Sequence, residues 1–500
     1  MADTAENIIP VYWDKNNSDS INDIKGRRSQ ELIVGLCGAI GSGIKTLKEQ
    51  MVLCLKQNGY HVEHIRISDL ITIYSKSKTH HLDNYERYNT LQDLGDGLRE
   101  KHGHFICAEL AVLSIQEKRE TIYGSDTSEL TKNTKKTAYI IDQIKHPSEV
   151  ELFNQVYKNN FYLVGLLRTV SERIRNLTDE GINPESIAKI IERDRKSKNK
   201  NGQHVEETLQ LADYFIKNLD TDVMKKSVSR FIDLIHGVSH ITPSKDESGM
   251  YSAYSASLGS ACLSRQVGAS IMDTDGNIIA TGRNDVPAFG GGLYTSESGK
   301  DKRCFNKNGC HNDKHKALLK NEIKNILSKY CLNEADVMAD EIMNETKAKY
   351  LIEYSRAVHA EMDAIVSLAR NTNIGTIGNT LYCTTYPCHV CARHIVAAGI
   401  KRVVYIEPYE KSLALQLHDD TICQPDHSPS PEKVLFENFE GVAPKRYAKF
   451  FAYNRKRKDE QGKPINYSIE ESYHVDTQYL DSYGDYESKV ISNLRTKFDL

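Results

Sequence analysis

Short apolar runs alternate with helix-length amphipathic stretches through the first half of this chain. Leu32-Ile33-Val34-Gly35-Leu36-Cys37 is the first run, brief and glycine-interrupted as a buried parallel strand should be. Helical spacing follows at Leu47, Met51, Val52 and Leu55. Further strands are expected at Val62–Ile67, Ala138–Asp142 and Tyr162–Leu167, with a last one within Leu211–Ile216 and long polar helices over 83–118. This alternation predicts a doubly wound parallel sheet over residues 30–240. The charged segment 192–204 reads as a mobile lid or loop. A boundary falls near 238–250, where Pro, Ser, Gly and charge collect. Val267–Met272 and Ile278–Gly282 flank an Asp-Gly turn and predict a hairpin that opens a second sheet. That second unit spans 250–450 with a polar insertion at about 289–350, and helix, strand and helix recur through 351–406. Residues 454–500 read as a polar C-terminal tail without a fold of its own.

Five hundred residues suit about three domains, or two large ones. Lys+Arg 65 against Asp+Glu 68 gives a net charge of −3, so no global basic field recruits nucleic acid. No run approaches 18 apolar residues, which excludes a spanning helix. The first residues carry neither a basic n-region nor an apolar h-region. Eleven cysteines, an odd number, then read as reduced thiols or metal ligands in a cytoplasm.

The sharpest chemical signal is His359-Ala360-Glu361, followed after residues 362–386 by Pro387-Cys388-His389-Val390-Cys391. His359, Cys388 and Cys391 supply three of zinc's four tetrahedral positions and leave the fourth for water. A structural knuckle would usually close all four. The cysteines stand where a strand (Leu381–Thr384) meets a helix, whose N-terminal dipole favours thiolates. Glu361 can face the water without ligating, take its proton and pass it to a departing amine. H-x-E with P-C-x-x-C is the signature of zinc nucleobase deaminases.

Residues 251–447 resemble the deoxycytidylate deaminase family through SRQVGA (264–269), GRND (282–285), HAEMDAI (359–365) and TTYPCHVCARHIVAAGIKRVVY (384–405). The resemblance implies a cytidine-deaminase-like α/β/α fold, Asn284 on the sugar, and a pyrimidine pocket shaped near Ala360 and Thr385. It also offers Arg265, Arg283 and Lys411 as phosphate contacts. Asp363 departs from the Asn that such proteins often carry. Phage-type members have an additional structural zinc, for which Cys304, Cys310, His311 and His315 are candidates, with Cys304, Cys310 and His315 the preferred set. The spacing C-x5-C-H-x3-H fits no standard finger, and polar loop residues are the competing reading.

Gly38-Ala39-Ile40-Gly41-Ser42-Gly43-Ile44-Lys45-Thr46 follows the first strand and opens a helix, the context of a phosphate-cradling P-loop. Gly38, Gly41, Ser42, Gly43, Lys45 and Thr46 are its candidate nucleotide contacts. The register departs from G-x-x-x-x-G-K-[ST], because Ile44 holds the lysine position and Lys45 and Thr46 come one place late. Asp142 ends a strand as a Walker-B carboxylate would, and Arg168, Arg173, Arg193 and Arg195 resemble the arginines of a kinase lid.

A kinase-like P-loop unit fused to a deoxycytidylate-deaminase-like unit resembles the anti-phage dCTP deaminase family. That resemblance implies zinc-dependent conversion of dCTP, dCMP or both to the deoxyuridine nucleotides, and a nucleoside triphosphate at the P-loop. Free deoxycytidine nucleotides would be the partners, in a homo-oligomer away from any membrane, with an inhibitory small RNA in some systems. Three alternatives stand beside it. They are a salvage dCMP deaminase carrying a nucleotide kinase, a nucleotide-sensing regulator, and a deaminase of tRNA or single-stranded DNA.

Overall fold

A computed structural model describes residues 28–79, 82–123, 135–195, 201–238, 240–330, 334–371, 374–408, 412–425, 430–452, 456–465, 467–470, 472 and 478–498. The fold is mixed α/β, built on two six-stranded sheets in which parallel pairing predominates. The first sheet contains β1 (Glu31–Gly38), β2 (His61–Arg66), β3 (Thr137–Asp142), β4 (Phe161–Leu167) and β5 (Tyr214–Lys217), in the order β5-β4-β1-β3-β2. These five strands are all parallel. Every residue of β1, β4 and β5 is buried, which is why they read as continuous apolar runs rather than alternating ones.

Helices cover both faces. One carries α1 (Ile44–Gln57) and α8 (Thr221–His236); the other carries α2 (Ile67–Tyr74), α3 (Asn84–His102), α4 (Ile106–Tyr123) and α5 (Pro147–Tyr157). Helices α6 (Val170–Asp179) and α7 (Pro184–Arg195) form a satellite cluster in which Leu177, Ile187 and Ile190 pack on Ile40. Of the segment 192–204, the residues up to Arg195 continue α7, residues 196–200 lie outside the described residues, and 201–204 are irregular.

The second sheet runs β10-β11-β9-β8-β6-β7, from β6 (Gly268–Met272), β7 (Ile278–Arg283), β8 (Thr380–Thr385), β9 (Arg402–Glu407), β10 (Ile422–Cys423) and β11 (Val434–Asn438). β6 and β7 form the hairpin read from the Asp-Gly turn, and β6 pairs antiparallel with β8. Helix α9 (Lys245–Ser257) starts at a Ser244/Glu247 capping box and packs on β6. The polar insertion contains α10 (His311–Leu327) and α11 (Ala335–Glu345), which pair with each other; no residue of α10 is buried.

Two features bind the halves together. After β11 the chain returns to the first sheet, where β12 (Gly441–Val442) pairs antiparallel with β5. The buried Glu247 secures this return by accepting from the Val442 amide at 2.9 Å and from Arg230 at 2.7 and 2.8 Å. The second feature corrects the expectation of an unfolded tail. Leu480–Phe498 is a helix, α14, that packs on α4 and buries Tyr483, Val490, Ile491 and Leu494. Its Glu487 shares the buried Arg119 with Glu31, at 2.6 to 3.0 Å. The apolar positions recur at helical spacing, but polar residues around them hide the stripe.

Candidate active site

Helix α12 (Ala360–Asn371) lies across β7, and α13 (His389–Ala397) follows β8, so both helices begin at one end of the second sheet. Their first turns carry the chemistry. Cys388 is the N-cap of α13, and its sulfur accepts the Cys391 amide at 3.4 Å. A thiolate there faces the positive end of the helix dipole. His359 immediately precedes α12, with its Nδ1 3.4 Å from the Cys388 sulfur and 3.3 Å from that of Cys391. Among the described residues this is the one group of three His, Cys, Asp or Glu side chains whose ligand atoms all lie within 4.8 Å of one another.

The donors fit a zinc ion. Tetrahedral bonds of ~2.3 Å to sulfur and ~2.05 Å to nitrogen place N and S about 3.6 Å apart, close to the spacing found. The chemistry of the set agrees. Cys388 is lowered to about 4, first by hydrogen bonding with Cys391 and then by His359. His359 is correspondingly raised to about 9, first by its hydrogen bond with Cys388. Cys388 and His359 therefore stabilise each other's charged forms, while the hydrogen bond with Cys388 and burial hold Cys391 as the thiol.

Glu361 is 4% exposed, in the first turn of α12, and burial pushes its carboxyl above the usual range while His359 pulls the other way. It lines a cavity of about 190 Å³ together with His359, Ala360, Cys388, Asn284, Thr385 and Arg265. Asn284 is fixed by the backbone of the 265–267 loop: its Oδ1 accepts from the Val267 amide at 2.7 Å, and its Nδ2 donates to the Arg265 carbonyl at 2.9 Å. Thr385 ends β8 and accepts from Arg265 at 2.5 Å while donating to Glu407 at 2.9 Å. Arg265 also pairs with Glu407 across the rim. Asp363 accepts the Arg283 amide at 3.1 Å and so ties α12 to β7. The Arg283 side chain donates to the Tyr294 carbonyl and does not line this cavity; Lys411 lies outside the described residues.

The residues offered for a second metal are not gathered in the same way. His315 stacks on Tyr354, with ring centroids 5.3 Å apart. Cys304 and Cys310 instead line a small cavity of about 20 Å³ with Cys262 and His311. Cys262 was not singled out from sequence, because it lies some forty residues from the nearest of the others and spacing gives no clue to it.

At the other sheet, Gly41, Ser42, Gly43 and Lys45 line a cavity of about 500 Å³, and Gly38 and Thr46 do not. Gly43 is the N-cap of α1 at φ 91°, and a Cβ there would meet Asn218 Nδ2 at 2.3 Å. Ile44, at the usual lysine position, lines this cavity but is buried and brings no charge to it, while Lys45 is exposed. Asp142 lines the same cavity. The arginines read as a kinase lid are engaged elsewhere. Arg173 Nε donates to the Ile40 carbonyl, Arg168 pairs with Glu172, Arg193 with Asp93 and Asp96, and Arg195 with Glu192 and Glu206.

The class follows from known proteins as well as from geometry. Residues 243–407 match the family described as the cytidine and deoxycytidylate deaminase zinc-binding region. Deoxycytidylate deaminase of Enterobacteria phage T4 is 35% identical over 162 residues, covering 32% of this chain and 76% of the phage protein. The chain therefore belongs, through its C-terminal half, to the deoxycytidylate deaminase family. ComE operon protein 2 of Bacillus subtilis is 43% identical over 56 residues, covering 11% of this chain and 29% of that protein. The crystal structure of dCMP deaminase from cyanophage S-TIM5 in complex with dCMP and dUMP is 21% identical, with a TM-score of 0.23, covering 40% of this chain and 99% of that one. No helix among the described residues is long and apolar enough to cross a membrane.

Proposed function

We propose that the chain is a zinc-dependent hydrolytic deaminase of free deoxycytidine nucleotides, converting dCTP, dCMP or both to the deoxyuridine nucleotides with release of ammonia. The observation that carries this reading is the buried Glu361 in one cavity with His359 and Cys388, the donors whose set Cys391 completes. His359, Cys388 and Cys391 would hold the metal, whose chemistry when bound would be Lewis acidity toward a water at neutral pH. Glu361 would take the water proton and deliver it to the leaving amine, a task suited to a carboxyl that burial raises above its usual range. Asn284, Ala360 and Thr385 orient sugar and base, and Arg265 at the rim meets phosphate in competition with Glu407.

The resemblance to anti-phage dCTP deaminases gives this chemistry a purpose: a falling dCTP pool limits phage DNA synthesis. The P-loop-like unit then holds a nucleotide. An oligomeric state and restraint by a small RNA follow from the same resemblance. The test is metal removal and return. Chelated protein should release no ammonia from dCTP or dCMP, and one equivalent of zinc should restore release in the parent but not in Cys388→Ser. Full activity after chelation would overturn the reading.

A further inference from the structure

The large cavity beside the glycine-rich loop has two ends of different character. At one, the glycine-rich loop opens α1, where the amides of Ile44 and Lys45 precede the first backbone bond of the helix, from the Thr46 amide to the Gly43 carbonyl at 3.0 Å. At the other lie Gln92, Arg99 and Gln203, each at least nine-tenths buried. Gln92 Nε2 donates to Gln203 Oε1 at 3.2 Å, and Arg99 Nη2 donates to Glu149 at 2.8 Å. Among the described residues Gln92 Oε1 and Arg99 Nε and Nη1 have no hydrogen-bond partner, and Nη1 has only the charge of Asp96 at 3.7 Å. Buried polar groups in folded proteins are nearly always satisfied, so an unmatched acceptor and unmatched donors lining one cavity call for a ligand that supplies their complements. Ile67, Ile71 and Leu91 line the same cavity and offer it an apolar wall.

We propose that this cavity is a base-selective nucleotide site: phosphates at the loop, and the base against the apolar wall with its polar edge toward Gln92, Gln203 and Arg99. The inference rests on reading the loop as a nucleotide cradle and adds what recognises the base. About 500 Å³ is within the usual range for small-ligand sites. A bare phosphate would leave the amide pair unmatched, and a purely apolar ligand would leave both ends unmatched. The phosphate end also argues for holding without transfer. The lysine position is the buried Ile44, and the Ile40 amide and Lys145 are both committed to the buried Asp194, at 2.7 and 2.6 Å.

The test uses the zinc-loaded full chain and calorimetric titration with ATP, GTP and UTP, each against inorganic tripolyphosphate. At least one nucleotide should bind more than tenfold tighter than tripolyphosphate, with no diphosphate formed. Gln92→Leu should shrink that gap below threefold while basal ammonia release stays unchanged. Gln203→Leu should do the same, and decides the matter if the first variant fails to fold. Equal binding of tripolyphosphate and all three nucleotides would overturn the base slot and leave the loop reading standing. No binding of either would overturn both. A preference that survives in both variants, or release of diphosphate, would also contradict the proposal.

Discussion

Glu361 can serve both halves of a proton transfer because its surroundings pull it in two directions. Burial favours the neutral acid, and His359 two residues away favours the carboxylate. Glu361→Ala should therefore lower turnover by about 100- to 10,000-fold. Zinc content should stay at the parental level, because the three donors are untouched; loss of zinc in step with activity would mean that Glu361 acts as a ligand. A second residue-scale expectation concerns His146, whose pKa burial lowers to about 4. An unfolded histidine titrates near 6.5, so between ~6.5 and 4 the unfolded chain binds the extra proton. Stability contributed by the neutral ring is thus complete above ~6.5 and lost as pH falls toward 4. His146 also caps α5 through its Nδ1, and Asn would keep a capping side chain. His146→Asn should flatten the decline in melting temperature between pH 6.5 and 4.5. An unchanged slope would assign that decline to other groups.

The deaminase site depends on how closely two elements approach. A Cβ on Gly282 of β7 would meet the Ala360 carbonyl at 2.3 Å and the Ala364 amide at 2.4 Å, both backbone atoms of α12. Gly282→Ala should push α12 off the sheet, carrying His359 and Glu361 with it, and lower activity at least tenfold with weaker zinc retention. Parental activity would show that the site tolerates the shift. The C-terminal helix makes a stability claim of the same kind. Arg119 is shared by Glu31 and Glu487 in a buried cluster that also takes hydroxyls from Tyr157 and Tyr483. Arg119→Met would strand two buried carboxylates, and breaking such a group costs about 3–5 kcal/mol. Urea unfolding would measure it, and a loss below 1 kcal/mol would mean that water reaches the cluster.

At the scale of the whole molecule, the five parallel strands of the first sheet, β6, β7 and β8 of the second and the His-Cys-Cys group are legible because their signals are local, whereas β9, β10 and β11 are not singled out. A run such as Tyr162–Leu167 carries its own period, and H-x-E with C-x-x-C puts all four residues at the start of two helices. What sequence hid depends on distant partners. Tyr483 meets Glu31 of β1 across 452 residues, Glu487 meets Arg119 across 368, Cys262 meets Cys304 and Cys310 only through the fold, and Val442 returns to β5. Of the arginines that resemble a kinase lid, Arg168, Arg193 and Arg195 pair with carboxylates and Arg173 with the Ile40 carbonyl, partners that spacing does not reveal. This joining of sheets makes the loop testable at a distance from the deaminase site. Gly43→Asp, which collides with Asn218, should weaken nucleotide binding at the loop, and unchanged binding would make the loop a mere turn.

The most direct measurement is a zinc-replete incubation with dCMP, dCTP, CTP and a cytosine-containing oligonucleotide, with ammonia and products resolved by chromatography. The expected result is dUTP from dCTP, dUMP from dCMP, or both, absent from the Glu361→Ala protein. Turnover of the oligonucleotide alone, or of nothing, would contradict a deaminase of free deoxycytidine nucleotides.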